Sequence, residues 1–218
     1  MNSTFFHALT GGTIEEVKRL VESNPTCLNA QSDETGQTPV FIAATMNRID
    51  IIEYLAGKDA NLETRDNRGL SPMDAAVVNE KIEVIKCLAK YGADINASMF
   101  TAVMAGKTDA IECLKELGAD LEAKNRDGMT PITMAALAGQ VDSIKCLTNL
   151  GVKVNAKSEN DIAPIFLAVQ AGQLDCVKYL ISLGANVNAT INGMTPLSIA
   201  VGEGHSEIAE LLRNNGAK

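Results

Sequence analysis

The stretch Thr130-Pro131-Ile132-Thr133-Met134-Ala135-Ala136-Leu137-Ala138-Gly139, followed by Gln140 and the run Val141 to Gly151, decides the fold. Thr before Pro is a helix start. The hydroxyl caps a free backbone N–H, and Pro occupies the first turn, where its missing N–H costs nothing. The helix that follows is short, Pro131 to Ala138. Its Ala135-Ala136 pair lets a neighbouring helix approach closely, and Gly139 breaks it. A second helix from Val141 to Leu150 places Val141, Ile144 and Leu147 on one buried stripe and stops at Gly151. Segments such as Asn125-Arg126-Asp127-Gly128, between one such unit and the next, read as turns.

The same pattern recurs along the chain. Ile144-Lys145-Cys146-Leu147 is echoed by Ile52-Glu53-Tyr54-Leu55, Ile85-Lys86-Cys87-Leu88, Ile111-Glu112-Cys113-Leu114 and Val177-Lys178-Tyr179-Leu180, and more weakly at Val17 to Leu20 and Ala209 to Leu212. The leucines are separated by 35, 33, 26, 33, 33 and 32 residues, so the period is 33. Thr38-Pro39, Ser71-Pro72, Ala163-Pro164 and Thr195-Pro196 keep the same beat as Thr130-Pro131. So do the closing segments Gly92 to Ala97, Gly118 to Ala123 and Gly184 to Ala189. A unit of helix, turn, helix and β-turn cannot bury its apolar stripe alone. Stacked on its neighbours it can, which makes a one-dimensional solenoid.

With these markers the chain resembles the ankyrin-repeat family, whose Thr-Pro-Leu-His-x-Ala signature sits at the first helix. The resemblance runs from about Phe5 to Gly216. It implies an all-α solenoid of stacked helix-turn-helix units with β-turn or hairpin fingers. It is expected as a single domain over 1–218, with seven repeats near 1–31, 32–64, 65–97, 98–123, 124–156, 157–189 and 190–218. The family's His is absent. Phe41, Asp74, Phe100, Thr133, Phe166 and Ser198 stand in its place, of which Asp74, Thr133 and Ser198 can accept a local hydrogen bond. The fourth repeat is shortened by seven residues, 26 against 33, and Ala97 both closes the third repeat and stands where the next Thr belongs. That leaves no residues for a finger, either as a trimmed loop or as a notch that shapes a partner site.

Composition limits the function. The 218 residues carry 19 basic against 27 acidic side chains, a net charge of -8, and only 4% aromatics. Binding to nucleic acid draws on Lys and Arg against phosphate and on aromatic stacking, so nucleic acid is not expected, nor is an anionic membrane surface. No run reaches the length needed to span a bilayer, and Met1 to His7 lacks a secretory start. Five widely spaced cysteines without a metal-like pair suggest free thiols in a reducing compartment, and a cytoplasmic location is expected. Cys87, Cys113 and Cys146 recur on successive second helices, which lie about 8–10 Å apart. Bonded cysteines need Cα atoms within about 7 Å, so these three are read as core fillers.

Nothing in the chain points to catalysis. His7 has no acidic or thiol companion, and His205, after Gly204, opens a second helix at a common family position. No enzyme activity, cofactor, metal or small-molecule substrate is expected. Asn96, Asn155 and Asn188 read as ties between repeats. In some animal members of the family the equivalent Asn is hydroxylated, and Val154-Asn155-Ala156 and Val187-Asn188-Ala189 resemble those contexts.

The resemblance implies a concave face made by the fingers and the exposed side of the first helices. The two residues after each Ala-Ala pair should face it, and so should the residue before each Thr/Ser-Pro. By that rule Leu70, Val77, Val78, Met104, Met129 and Leu137 form an apolar stripe across repeats three to five, while the outer repeats offer polar or small residues. The expected function is a non-catalytic interaction module, an adaptor, scaffold or inhibitor that is monomeric alone. It would bind an apolar peptide or helix with basic flanks. The alternatives are a homo-oligomeric assembly scaffold and a host-directed effector secreted by a microbe.

Overall fold

The hydroxyl caps read from the sequence start most of the short helices. In this computed structural model, which describes residues 3–218, the Thr38 hydroxyl accepts from the Phe41 N–H at 3.3 Å and Ser71 accepts from the Asp74 N–H at 3.1 Å. Thr130 and Thr195 close reciprocal boxes with Thr133 and Ser198. Ala163 has no hydroxyl to offer, and the helix Pro164–Gln170 starts without a side-chain cap.

The described residues form fourteen α-helices, one short 3-10 turn (Pro25–Asn29) and a single antiparallel bridge between Ile191 and Met194. The chain is organised as two compact units. One holds the residues up to Ser98 with Glu116–Gly118, and the other holds Met99–Lys115 and Ala119–Lys218. In the first unit α1 (Ser3–Gly11), α3 (Pro39–Thr45) and α5 (Pro72–Val78) are the inner helices. α2 (Ile14–Ser23), α4 (Ile49–Ala56) and α6 (Ile82–Lys90) are the outer ones. Inner helices pack on inner helices and outer on outer, α3 against α1 and α5, and α4 against α2 and α6. The second unit repeats the plan with α9 (Pro131–Leu137), α11 (Pro164–Gln170) and α13 (Pro196–Gly202) inside, and α10 (Val141–Asn149), α12 (Leu174–Ser182) and α14 (Ser206–Asn214) outside. α7 (Ile95–Met104) and α8 (Thr108–Glu116) make the short fourth repeat.

Small residues allow this close stacking. Ala43, Ala44, Ala76, Ala135, Ala136 and Ala168 are fully buried on the inner helices. The outer helices contribute Ile51, Ile52, Leu55, Ile85, Leu88, Ile144 and Leu147, also fully buried. Apart from α2, which runs through Asn24 into the 3-10 turn, the outer helices turn off through a left-handed residue, as at Gly151 with φ +96°.

The start of α7 departs from the sequence reading. The sequence of Gly92 to Ala97 reads as a closing segment, yet the helix already runs from Ile95. Ala97 stands where a capping Thr would be and supplies no hydroxyl. The Asp94 carboxylate does the capping three residues earlier, accepting from the Ala97 N–H at 2.9 Å. The missing finger is thereby replaced by an extra helical turn, in which Asn96 lies.

Where fingers do form, asparagine, aspartate and serine side chains shape them. Asp66 accepts from the backbone N–H groups of Arg68 and Leu70, Asn125 from those of Asp127 and Met129, and Ser158 from that of Ile162. Within each unit, successive fingers are pinned to one another. The Asn67 N–H donates to the Thr35 carbonyl at 2.9 Å, and the Glu159 N–H donates to the Gly128 carbonyl at 2.8 Å.

Candidate functional site

The concave-face residues named from the sequence divide between the two units. In the first, Leu70 ends a finger and is half-buried, and Val78 closes α5 and is half-buried. In the second, Met104 is 47% exposed at the end of α7, and Met129 and Leu137 are half-buried. Val77 requires correction, because its side chain is 0% exposed and lies in the core. Counting from the proline explains why. Val77 is the fifth residue after Pro72, in register with Ala44, Ala136 and Val169, all of them fully buried. The Ala75-Ala76 pair sits one position earlier in its helix than Ala43-Ala44 or Ala135-Ala136, so a count from the alanines slips by one. The corrected register sets Thr45, Val78, Met104, Leu137, Gln170 and Gly202 in equivalent places.

Polar groups near the first unit's fingers are held in fixed pairs. Burial raises the Asp66 carboxyl, but the N–H groups of Leu70 and Arg68 and the Arg68 guanidinium at 2.9 Å outweigh it, so its pKa falls below the usual carboxylate value. Asp74, in the place of the family His, is buried. It accepts from Arg65 at 2.9 Å, from the Ser71 N–H at 3.0 Å and from the Ser98 hydroxyl at 2.9 Å. Thr133 and Ser198 likewise turn their hydroxyls to their own caps, while Phe41 and Phe166 are packed in the core. These groups are occupied with structure.

The other singled-out residues are structural as well. The His205 ring lies 3.3 Å from the Gln170 carbonyl and fills the space over Gly172, where an added Cβ would come within 2.9 Å of it. Asn155 accepts from the Asn186 N–H at 3.0 Å and donates to the Gly184 carbonyl at 3.2 Å. Asn188 does the same to Lys218 and Gly216. All five cysteines are free thiols, and Cys87, Cys113, Cys146 and Cys176 are buried. Burial, followed by the charges of Glu112 and Asp109, pushes the Cys146 thiol to about 11, and burial with Asp175 does the same for Cys176. Both remain protonated at neutral pH and are poor nucleophiles. Alkylation of the folded protein by iodoacetamide at pH 7, followed by peptide mass mapping, is expected to label Cys27 first and to leave Cys146 and Cys176 unmodified. Equal labelling of Cys27 and Cys176 would contradict this.

Among the described residues no helix is long and apolar enough to cross a membrane, and no three His, Cys, Asp or Glu side chains are grouped to hold a metal ion.

Comparison with known proteins agrees with this geometry. A family model described as ankyrin repeats (3 copies) matches residues 5–99 and 150–218, and one described as ankyrin repeats (many copies) matches 99–148. The chain is 29% identical over 91 residues to ankyrin repeat and SAM domain-containing protein 6 of Rattus norvegicus, covering 41% of this chain and 10% of that protein. It is 40% identical over 67 residues to a putative ankyrin repeat protein of Rickettsia felis, covering 30% and 22%. The chain thus spans under a quarter of either curated relative. Among solved structures, the ankyrin repeat domain of Bcl-3 superposes with a TM-score of 0.74 at 21% identity, over 97% of this chain and 98% of that one. The human ASB11 ankyrin repeat domain gives 0.67 at 24% identity, over 84% and 85%. At these identities the two structures establish the fold alone. Repeats of this type generally mediate protein–protein interaction and are typically non-catalytic. With both family models together spanning nearly its whole length, the chain belongs to the ankyrin-repeat family.

Proposed function

We propose that the protein is a non-catalytic binding module, an adaptor, scaffold or inhibitor, that grips a protein partner with the concave-side residues of its repeats. The observation that carries the reading is the set of apolar side chains left partly open at equivalent places, Val78 with Leu70 in one unit and Met104 and Leu137 with Met129 in the other. An exposed Met and half-buried Leu and Val offer area without fixed polar demands, which suits docking of an apolar segment. The net charge of -8 favours basic residues beside that segment. Free, mostly buried thiols agree with a reducing compartment such as the cytoplasm.

The test is affinity capture from lysate with the wild-type chain beside the Val78→Asp, Leu137→Asp double variant, with circular dichroism on both. Both positions are half-buried, so helicity should be retained, while a partner held by these residues should be lost from the double variant. Equal capture by both proteins would remove these residues from the binding surface. A concentration-dependent mass in light scattering, without any captured partner, would favour self-assembly instead.

A further inference from the structure

The residue at the end of each inner helix differs along the array. It is Thr45, Val78, Met104, Leu137 and Gln170 in turn, and then Gly202 in α13. Gly202 has ordinary helical φ, and a Cβ built on it meets no atom within 4 Å. Neither backbone conformation nor close packing therefore explains the glycine. What it leaves is space. A cavity of about 480 Å³ opens beside it, floored by Phe166, walled by Ile162, Ile191, Met194 and Ile199, and bordered by Glu203.

The lining is mostly apolar and partly exposed, with Gln170, Asn192 and Ser198 as its uncharged polar members. Phe166 is 3% exposed, Ile162, Ile191 and Ile199 are half-buried, and Met194, on the turn closed by the Ile191–Met194 bridge, is 48% exposed. Glu203 is the one charged lining residue, is exposed, and forms no ion pair among the described residues. The neighbouring finger adds Glu159 and Asp161 against Lys157, which is already engaged with Asp161 at 3.4 Å. The volume falls in the range of about 300–1,000 Å³ typical of sites that enclose a ligand. It accommodates more than a single aliphatic side chain.

Resting on the reading of the protein as a peptide-binding module, we propose that this cavity is its anchoring pocket. It would take two large apolar side chains of a partner segment, spaced one helical turn apart, with a Lys or Arg next to them paired to Glu203. A peptide suits the site better than a small apolar molecule. The lining is open on the side of Met194, Gly202 and Glu203, so a small ligand would stay half in water, while a polypeptide continues across the opening and covers it. Charge complementarity selects the basic neighbour, because an acidic one would meet Glu203 uncompensated.

The experiment uses two synthetic amphipathic peptides that share a pair of leucines one turn apart and differ only in carrying lysines or glutamates beside them. Binding is followed by methyl NMR of the full chain, labelled at isoleucine and methionine. The lysine peptide should shift the Ile162, Ile191, Ile199 and Met194 methyls saturably, and the glutamate peptide should bind more weakly. Gly202→Leu, which installs the side chain found at Leu137, should weaken the lysine peptide about thirtyfold or more without lowering the melting temperature. Glu203→Lys should weaken it about three- to tenfold and favour the glutamate peptide. Retained binding in Gly202→Leu, no shift of these methyls with either peptide, or a shift produced by decanoic acid and not by the lysine peptide would each overturn the proposal. The Val78→Asp, Leu137→Asp variant separates the two levels of the argument. If it loses the lysine peptide while Gly202→Leu keeps it, the pocket fails and the concave-side module stands. If both keep it, the module reading fails as well.

Discussion

Val77→Asp is expected to unfold the first unit, whereas Val78→Asp beside it should leave the same unit folded. Val77 is fully buried in α5, in register with Ala44 and Val169. An aspartate there would bury an unpaired carboxylate, at a cost of several kcal/mol, against a total stability of about 5–15 kcal/mol for a domain. Val78 is half-buried at the end of the same helix, and its aspartate can reach water at a cost of about 1 kcal/mol. Urea melts followed by circular dichroism would show the difference directly. Melts of Val77→Asp and Val78→Asp that coincide would mean that the register of α5 is not as described, and with it the assignment of Val78 to the open face.

Asp74→Ala is expected to cost about 3 kcal/mol, more than any other single polar truncation in the first unit. The carboxylate is buried and satisfies three donors at once, the Ser71 N–H of its own cap, the Ser98 hydroxyl and the Arg65 guanidinium. Removing it leaves the first two donors buried without their acceptor, each at about 1–3 kcal/mol, and loosens the start of α5. Arg65 is half-exposed and returns to water, so its share is small. Ser98→Ala removes one bond only and should cost about 1 kcal/mol. In a double-variant cycle the two losses should fail to add, because Asp74→Ala already removes the partner of Ser98. Strict additivity would show that the two side chains do not interact.

Much of the architecture is readable in the chain because its markers act locally. Thr130-Pro131 starts a helix wherever it stands, and Gly151 ends one, so the 33-residue period is visible without any long-range contact. The misread places are those where a local marker is missing or displaced. Ala97 carries no cap, and the decision passed to Asp94, three residues upstream, lengthening α7 into the space of a finger. The Ala75-Ala76 pair lies one residue early in α5, and only the distance from Pro72 reveals that Val77 faces the neighbouring helix. Ile162 and Met194 stand just before the caps of α11 and α13, and Gln170 and Glu203 stand at the ends of those helices. The cavity among them was not legible, since it arises from a side chain that Gly202 lacks, and a one-dimensional reading registers what is present.

The bond between Ser98 and Asp74 also bears on how freely units of this array could be exchanged. Every other inner helix of the fingered repeats has a proline where the fourth repeat has Ser98, as at Pro39, Pro72, Pro131, Pro164 and Pro196. The third repeat is thus matched to the one neighbour whose sequence departs from the pattern. Transplanted beside a regular unit, it would face a proline and lose the hydroxyl that Asp74 requires. Shuffled arrays that keep repeats three and four as a pair should therefore tolerate recombination, and those that part them should carry a defect at the new junction.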